Sequence, residues 1–284
     1  MNEKVTYNNS LSAKIWNVLK YAFLIFGCLL VIFPLVVVLL GSFKTHKEYL
    51  TTEVFSLPAK MNFENYKTAF VNGKVLLGLK NTLIIIVFSC IGTIVTGTMT
   101  AFVVQRFNSI LTRAVKNAFL VAMLLPSISM QVTVFQIINK LNLYDTMMSN
   151  IILYVGTDIV SIYIFMQYLS QISVSLDESA IVDGASYIKI YFQIILPLLR
   201  PAIATVLIIK FVGIYNNFYT PQLYMPSEEL GVVSTALYRF IGPYGAKWEI
   251  IFAGIIVCII PTLTIFLTLQ KYIYSGMVSG AVKE

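Results

Sequence analysis

Between residues 175 and 200 an otherwise apolar stretch carries Asp177, Glu178, Asp183, Lys189 and Arg200, the side chains best placed to do chemistry. Glu178 stands beside the small residues Ser179 and Ala180, so its carboxylate can come close to a partner and accept a charge-assisted, bidentate bond from an arginine. Asp183 can cap a following helix, Gly184 tolerates the positive φ of a sharp turn, and Ala185 keeps the corner small. Pro197 and Pro201 close the segment. A second group lies inside apolar runs. Asp158 and Lys210 each fall about ten residues into neighbouring runs, which puts both near mid-bilayer, facing one another or a shared aqueous path. Tyr215, Asn216, Asn217 and Phe218 place adjacent carboxamides where they are costly unless bonded to substrate, water or another helix. With Asp158 and Lys210 these four are the candidate residues of a substrate path.

Catalytic chemistry has no comparable support. The one histidine, His46, flanks an apolar run as a solvated residue, and no paired carboxylates, cysteine–histidine set or metal-ligand spacing stands inside the runs. Cys28, Cys90 and Cys258 each lie in an apolar stretch and read as packing residues. No G-x-x-x-x-G-K-[ST] occurs, so the chain lacks the phosphate cradle of an ATP-hydrolysing subunit. No cofactor and no metal is expected on this chain. Its net charge of +7 would suggest nucleic acid in a soluble protein, but the Lys and Arg residues fall between apolar runs and read as membrane flanks.

The elements that must position these groups follow from hydropathy. Of 284 residues 58% are hydrophobic and 12% charged, and the mean hydropathy is +0.81, far outside the range of soluble domains. We expect an all-α membrane protein, one integral domain over residues 1–284 with six spans at about 18–43, 81–105, 115–139, 148–171, 201–224 and 250–272. The first run is too long for a signal-peptide core and lacks a cleavage site, so it should remain as a span. An even number of spans puts both termini on one side. The charge balance does not settle which side. Residues 175–200 are too polar to cross lipid. Ile181, Ile188, Phe192 and Ile195 recur at helical spacing, so a helix, a turn at Asp183-Gly184 and a second helix to Leu196 should lay that apolar face on the bundle. In the second span Ser89, Thr93, Gly97 and Ala101 form a small-residue face for close helix contact. Pro34, Pro126 and Pro261 should kink their spans.

Glu178-Ser179-Ala180-Ile181-Val182-Asp183-Gly184-Ala185, followed by Ile194-Ile195-Leu196-Pro197, resembles the cytoplasmic EAA motif of ABC importer permeases, E-A-A-x-x-D-G-A and then I-x-L-P. Ser179 is the one departure in the first block. Asn65-Tyr66, Pro197 to Pro201 and the closing Ser275 to Lys283 are similar to the carbohydrate branch, the shorter maltose-type permease, over nearly the whole chain. That branch has W-N-[DE]-F where this chain has Tyr215-Asn216-Asn217-Phe218, without the acidic group. The resemblance implies a type I ABC importer permease for a sugar or oligosaccharide, in a prokaryotic inner membrane with both termini cytoplasmic. It implies a heterodimer with a second permease and an extracytoplasmic sugar-binding protein that meets the 225–249 loop. It also implies a cytoplasmic ATPase dimer that holds ATP and Mg and docks at the 175–200 hairpin, with the C-terminal tail as a second candidate contact. A secondary transporter or channel using Asp158 and Lys210 as ion or proton sites is the alternative; the hairpin motif argues against it.

Overall fold

The computed structural model describes residues 11–156, 158–242 and 245–281. The chain opens with helices α1 (Leu11–Ser42), α2 (His46–Thr51) and α3 (Glu64–Asn72), followed by the long α4 (Val75–Arg106) and α5 (Ile110–Leu124). Then come α6 (Gln131–Lys140), α7 (Met147–Gly156), α8 (Ile159–Leu169), α9 (Ser175–Val182), α10 (Tyr187–Ile190) and α11 (Leu196–Leu198), the last two joined by a π-helical turn over Tyr191–Ile195. Helices α12 (Arg200–Asn216), α13 (Tyr219–Tyr224), α14 (Val233–Ala236) and α15 (Trp248–Ala281) complete the order. A two-residue antiparallel pair, Ile241–Gly242 with Gly245–Ala246, precedes α15.

Among the described residues three helices are long and apolar enough to cross a membrane: Lys14–Ser42, Val75–Arg106 and Met147–Leu169. Two bent pairs raise the number to five, Ile110–Leu124 with Ile128–Lys140 at 100° and Tyr187–Leu198 with Arg200–Asn216 at 68°. The sixth expected span falls on α15, whose shorter apolar part is Trp248–Thr264. Every expected span falls on helix among the described residues, but those at 115–139 and 201–224 are interrupted there by non-helical residues. The one at 115–139 breaks at Leu125-Pro126, where proline has no N–H to give the helix. In the one at 148–171, α7 ends at Gly156, Thr157 lies outside the described residues, and Asp158 caps α8 by accepting from Ser161 N at 3.2 Å. The one at 201–224 ends its main helix at Asn216 and restarts at Tyr219. Pro34 and Pro261 lie inside α1 and α15 without ending either helix.

The chain divides into two compact units. The first holds Met1–Val71 with Phe240–Val257. Here Asn65 Nδ2 donates to the carbonyls of Ser42 and Lys44 at 2.8 Å each, and the Tyr66 hydroxyl meets Ser42 Oγ at 2.7 Å, so the family-like Asn65-Tyr66 pair closes the end of α1. Lys44 is almost fully buried and donates to Glu53 O, Ser56 Oγ and Thr52 Oγ1 at 2.7, 2.8 and 3.1 Å. These bonds replace the water its ammonium gives up. His46 is more than a solvated flank, since its Nδ1 lies 3.0 Å from Oε1 of the buried Glu249. Residues 14–36 of α1 are exposed on every side, the mark of a helix that faces lipid or another subunit. Cys28 shares that exposure, whereas Cys90 and Cys258 are buried as expected of packing residues.

The second unit holds Asn72–Arg239 with Cys258–Glu284. Its centre is α4 against α7, α8 and α12. The small-residue face is buried throughout: Ser89 and Ala101 are at 0% exposure, Thr93 at 2%, and a Cβ on Gly97 would stand 3.0 Å from the Phe165 ring. Without side chains in the way the backbones approach closely, and dispersion contacts replace a hydrophobic force that lipid cannot supply.

Candidate functional site

The hairpin forms at α9 and α10, but not with the face that its apolar spacing suggests. Ile181, Ile188 and Phe192 are exposed at 44%, 72% and 56%, while Ile195 is fully buried beside Ile190, Tyr191 and Leu199. The π-helical turn at Tyr191–Ile195 accounts for part of this: its wider turn shifts the register within the returning limb, so Ile188 and Ile195 cannot lie on one α-helical stripe. Polar contacts account for the rest. Asp177 is buried with Arg106, Nε to Oδ2 2.6 Å, and Arg106 Nη2 donates to Ile172 O at 3.1 Å. That pairing rolls α9 so that Asp177 and Ala180 face inward, and the neighbouring Glu178 and Ser179 are exposed.

At the corner Gly184 has φ +80°, and its N–H donates to Ile181 O at 2.9 Å while Ala185 N–H donates to Ala180 O at 2.9 Å. Nothing lies within 4 Å of a Cβ built there, so backbone conformation and not space demands glycine. Asp183 does not cap the following helix. It ends α9, its N–H donating to Ser179 O at 3.1 Å, and Ser186 caps α10 instead by accepting from Lys189 N at 3.4 Å. The helix restarts only at Tyr187, which leaves Asp183 too early for the capping position. Pro197 sits in α11 just before α12 begins.

The intramembrane pair is formed. Lys210 Nζ lies 2.8 Å from Asp158 Oδ2 with side-chain exposures of 10% and 13%, and it also donates to the carbonyl of Tyr154. The other candidate path residues do not converge. Tyr215 is buried, its hydroxyl donating to Cys258 O at 2.7 Å and its ring stacked on Phe211. Asn217 organises the break: its Oδ1 accepts from Thr220 N at 3.0 Å, and its carbonyl accepts from Ser234 Oγ at 2.7 Å. Asn216 is exposed and donates back to Val212 O at 3.0 Å, while Phe218 packs against Tyr238 with centroids 5.2 Å apart.

The 225–249 loop is described except for Pro243 and Tyr244. Its first half is tied to the end of α4 remote from Arg106. Asn81 Nδ2 donates to Glu229 O and Gly231 O at 2.9 and 3.0 Å, and Val233 N–H donates to Thr82 Oγ1 at 3.0 Å. Of the closing Ser275 to Lys283, the backbone is helical to Ala281; its side chains and residues 282–284 lie outside the described residues. Arg106 and Asn81 were not legible as functional in sequence, because a charge or carboxamide near a span end reads as a membrane flank until its partner, far along the chain, is placed. Among the described residues no group of His, Cys, Asp and Glu could hold a metal.

Long apolar helices, two bent pairs among them, and a polar hairpin that exposes Glu178 and Asp183 are the architecture of a multi-span membrane protein. The family described as binding-protein-dependent transport system inner membrane component matches residues 93–279, and the chain belongs to it. It is therefore an inner-membrane permease component of an ABC importer and not itself an enzyme. It is 33% identical to a probable starch degradation products transport system permease protein, AmyC of Thermoanaerobacterium thermosulfurigenes, over 90% of this chain and 93% of that one. The trehalose/maltose transport system permease protein MalG of Thermococcus litoralis is 29% identical over 94% and 98% of the two chains. The fold matches a chain of a bacterial ABC transporter involved in the import of the acidic polysaccharide alginate, with TM-score 0.82 at 20% identity over 93% of this chain and 98% of that one.

Proposed function

We propose that this permease carries a sugar or oligosaccharide inward, forming half of the translocation path with a second, similar permease. A cytoplasmic ATPase dimer, which holds the ATP and Mg, docks at the Glu178 hairpin, and a sugar-binding protein delivers substrate on the opposite side. Both termini are then cytoplasmic, and the C-terminal tail is a second contact for the ATPase. The observation that carries this reading is the two-sided α9, where Glu178 and Ser179 are exposed at a turn braced from behind by the buried Asp177. An exposed carboxylate on a braced helix can hold a partner's arginine without first losing much freedom of its own. The substrate class is supported by relatives named for starch degradation products, arabinooligosaccharides and trehalose/maltose. Transport then follows from ATP-driven closure of the partner, which shifts the bundle between its two access states.

The test is affinity purification of the tagged permease co-expressed with its neighbouring transport subunits, with uptake of maltotriose, arabinotriose and raffinose in the same cells. Glu178→Lys should leave the permease in the membrane yet release the ATPase or reduce uptake at least about tenfold, as loss of a buried interfacial charge pair does. Normal association and uptake with that substitution would overturn the docking role, and no uptake of any saccharide would overturn the substrate class.

A further inference from the structure

The hairpin is gripped on both limbs by one helix, α4. Arg106, the last residue of α4, holds Asp177 on α9, Gln105 Nε2 donates to Met166 O in the last turn of α8, and Arg106 Nη2 donates to Ile172 O in the link between α8 and α9. One turn and two turns earlier, Phe102 packs on Tyr191 at 5.6 Å and Thr98 Oγ1 meets the Tyr191 hydroxyl at 2.7 Å, both on the returning limb. The Arg106 and Asp177 side chains are 6% and 8% exposed, so their ion pair forms away from water, where charge attraction is strong. The carboxylate lies in the first turn of α9, where the helix N-terminus also favours negative charge. Asp177 Oδ1 and Arg106 Nε are both buried without a hydrogen bond, so the carboxylate is held by charge attraction in its ion pair with the arginine.

We infer that Arg106 and Asp177 are positioning residues that make α4 move with the hairpin, so that a push on Glu178 reaches the bundle through α4. This rests on the docking role proposed for Glu178. The geometry gives the reason: Asp177 and Glu178 are adjacent on one eight-residue helix, the first buried and the second exposed, so displacing one displaces the other. Along α4 the exposed stripe Val87, Ile91, Val95, Met99 and Val103 lies opposite the small-residue face and would be carried with it.

The experiment uses the assembled complex in proteoliposomes, with Cys28, Cys90 and Cys258 replaced by alanine and Met99→Cys as the only thiol. Its rate of maleimide labelling is measured without nucleotide and after trapping with MgATP and vanadate. With the native pair the two rates should differ about fivefold or more, the size of a typical coupling between sites. In Asp177→Asn, and in Arg106→Met with Asp177→Leu, the difference should fall below about twofold while nucleotide trapping persists. The double variant leaves no unpaired buried charge, so it decides the matter if the single one fails to assemble. A difference that survives in either assembled variant, or none with the native pair, overturns the inference; so does failure of both variants to assemble, which would make the pair a folding contact. Loss of ATPase association in Glu178→Lys with an unchanged labelling difference in the Asp177 variants would sink this inference and leave the docking role standing.

Discussion

Asp158 and Lys210 carry opposite charges inside the bilayer, and their 2.8 Å contact, with the Tyr154 carbonyl as a further acceptor for Lys210, explains why either is tolerated. Asp158 has two tasks, since its other oxygen caps α8. Lys210→Met should therefore lower the melting temperature of the detergent-solubilised complex, at a cost of about 3–5 kcal/mol, because it strands a buried carboxylate. Adding Asp158→Leu should recover much of that loss but not all of it, for the cap is gone as well. Equal melting of single variant and native protein would show that water already solvates the pair. An ion-translocating role, as in a secondary transporter, would instead predict loss of uptake in the double variant without loss of stability.

At the scale of elements, α4 and the hairpin set opposite demands on glycine. Gly184 needs its positive φ but has free space around it, so Gly184→Val should strain the turn by about 1–2 kcal/mol whereas Gly184→Asn should be tolerated. Uptake that falls with valine and persists with asparagine is the expected pattern; equal loss with both would point to a contact of the partner with the glycine itself. Gly97 has ordinary backbone geometry but no space. A leucine there would drive into Phe165 and separate α4 from α8, at a cost of about 1–3 kcal/mol. Gly97→Leu should therefore lower the yield of assembled permease, read by gel filtration, far more than Gly184→Val does.

For the whole molecule, the bare surface of α1 over residues 14–36 and the apolar cavity of about 750 Å³ lined by Leu76, Leu83, Phe211 and Pro261 fit a chain that works inside lipid and beside other subunits. The loop after α13 is anchored at several points, among them Ser227 N to Asp145 Oδ1 at 3.1 Å, Lys74 to Glu228 at 3.1 Å and the bonds to Asn81. Asn81→Leu would leave the carbonyls of Glu229 and Gly231 without their donor, and Thr82 alone would still anchor Val233. We expect faster proteolysis of residues 225–237 and weaker stimulation of the ATPase by the binding protein, with assembly unchanged. Unaltered stimulation despite a loosened loop would count against binding-protein contact there.

Sequence alone determined what depends on local composition and spacing. Apolar runs of bilayer length pointed to the long helices, the small-residue face of α4 was visible at a four-residue period, and the Asp183-Gly184 corner with its flanking pattern placed the hairpin. Family membership rested on the same local pattern. Tertiary structure decided the rest, because burial depends on partners distant in the chain. Ile181, Ile188 and Phe192 carry a regular apolar spacing yet stay exposed, since the buried Arg106 to Asp177 bond and the π-helical turn set how the limbs are rolled. Asn217 reads as a costly polar residue in a span, but it lies at a break in the helix where Thr220 N and Ser234 Oγ donate to it. Periodicity states which side chains share a face; only the packed chain states which face is turned inward.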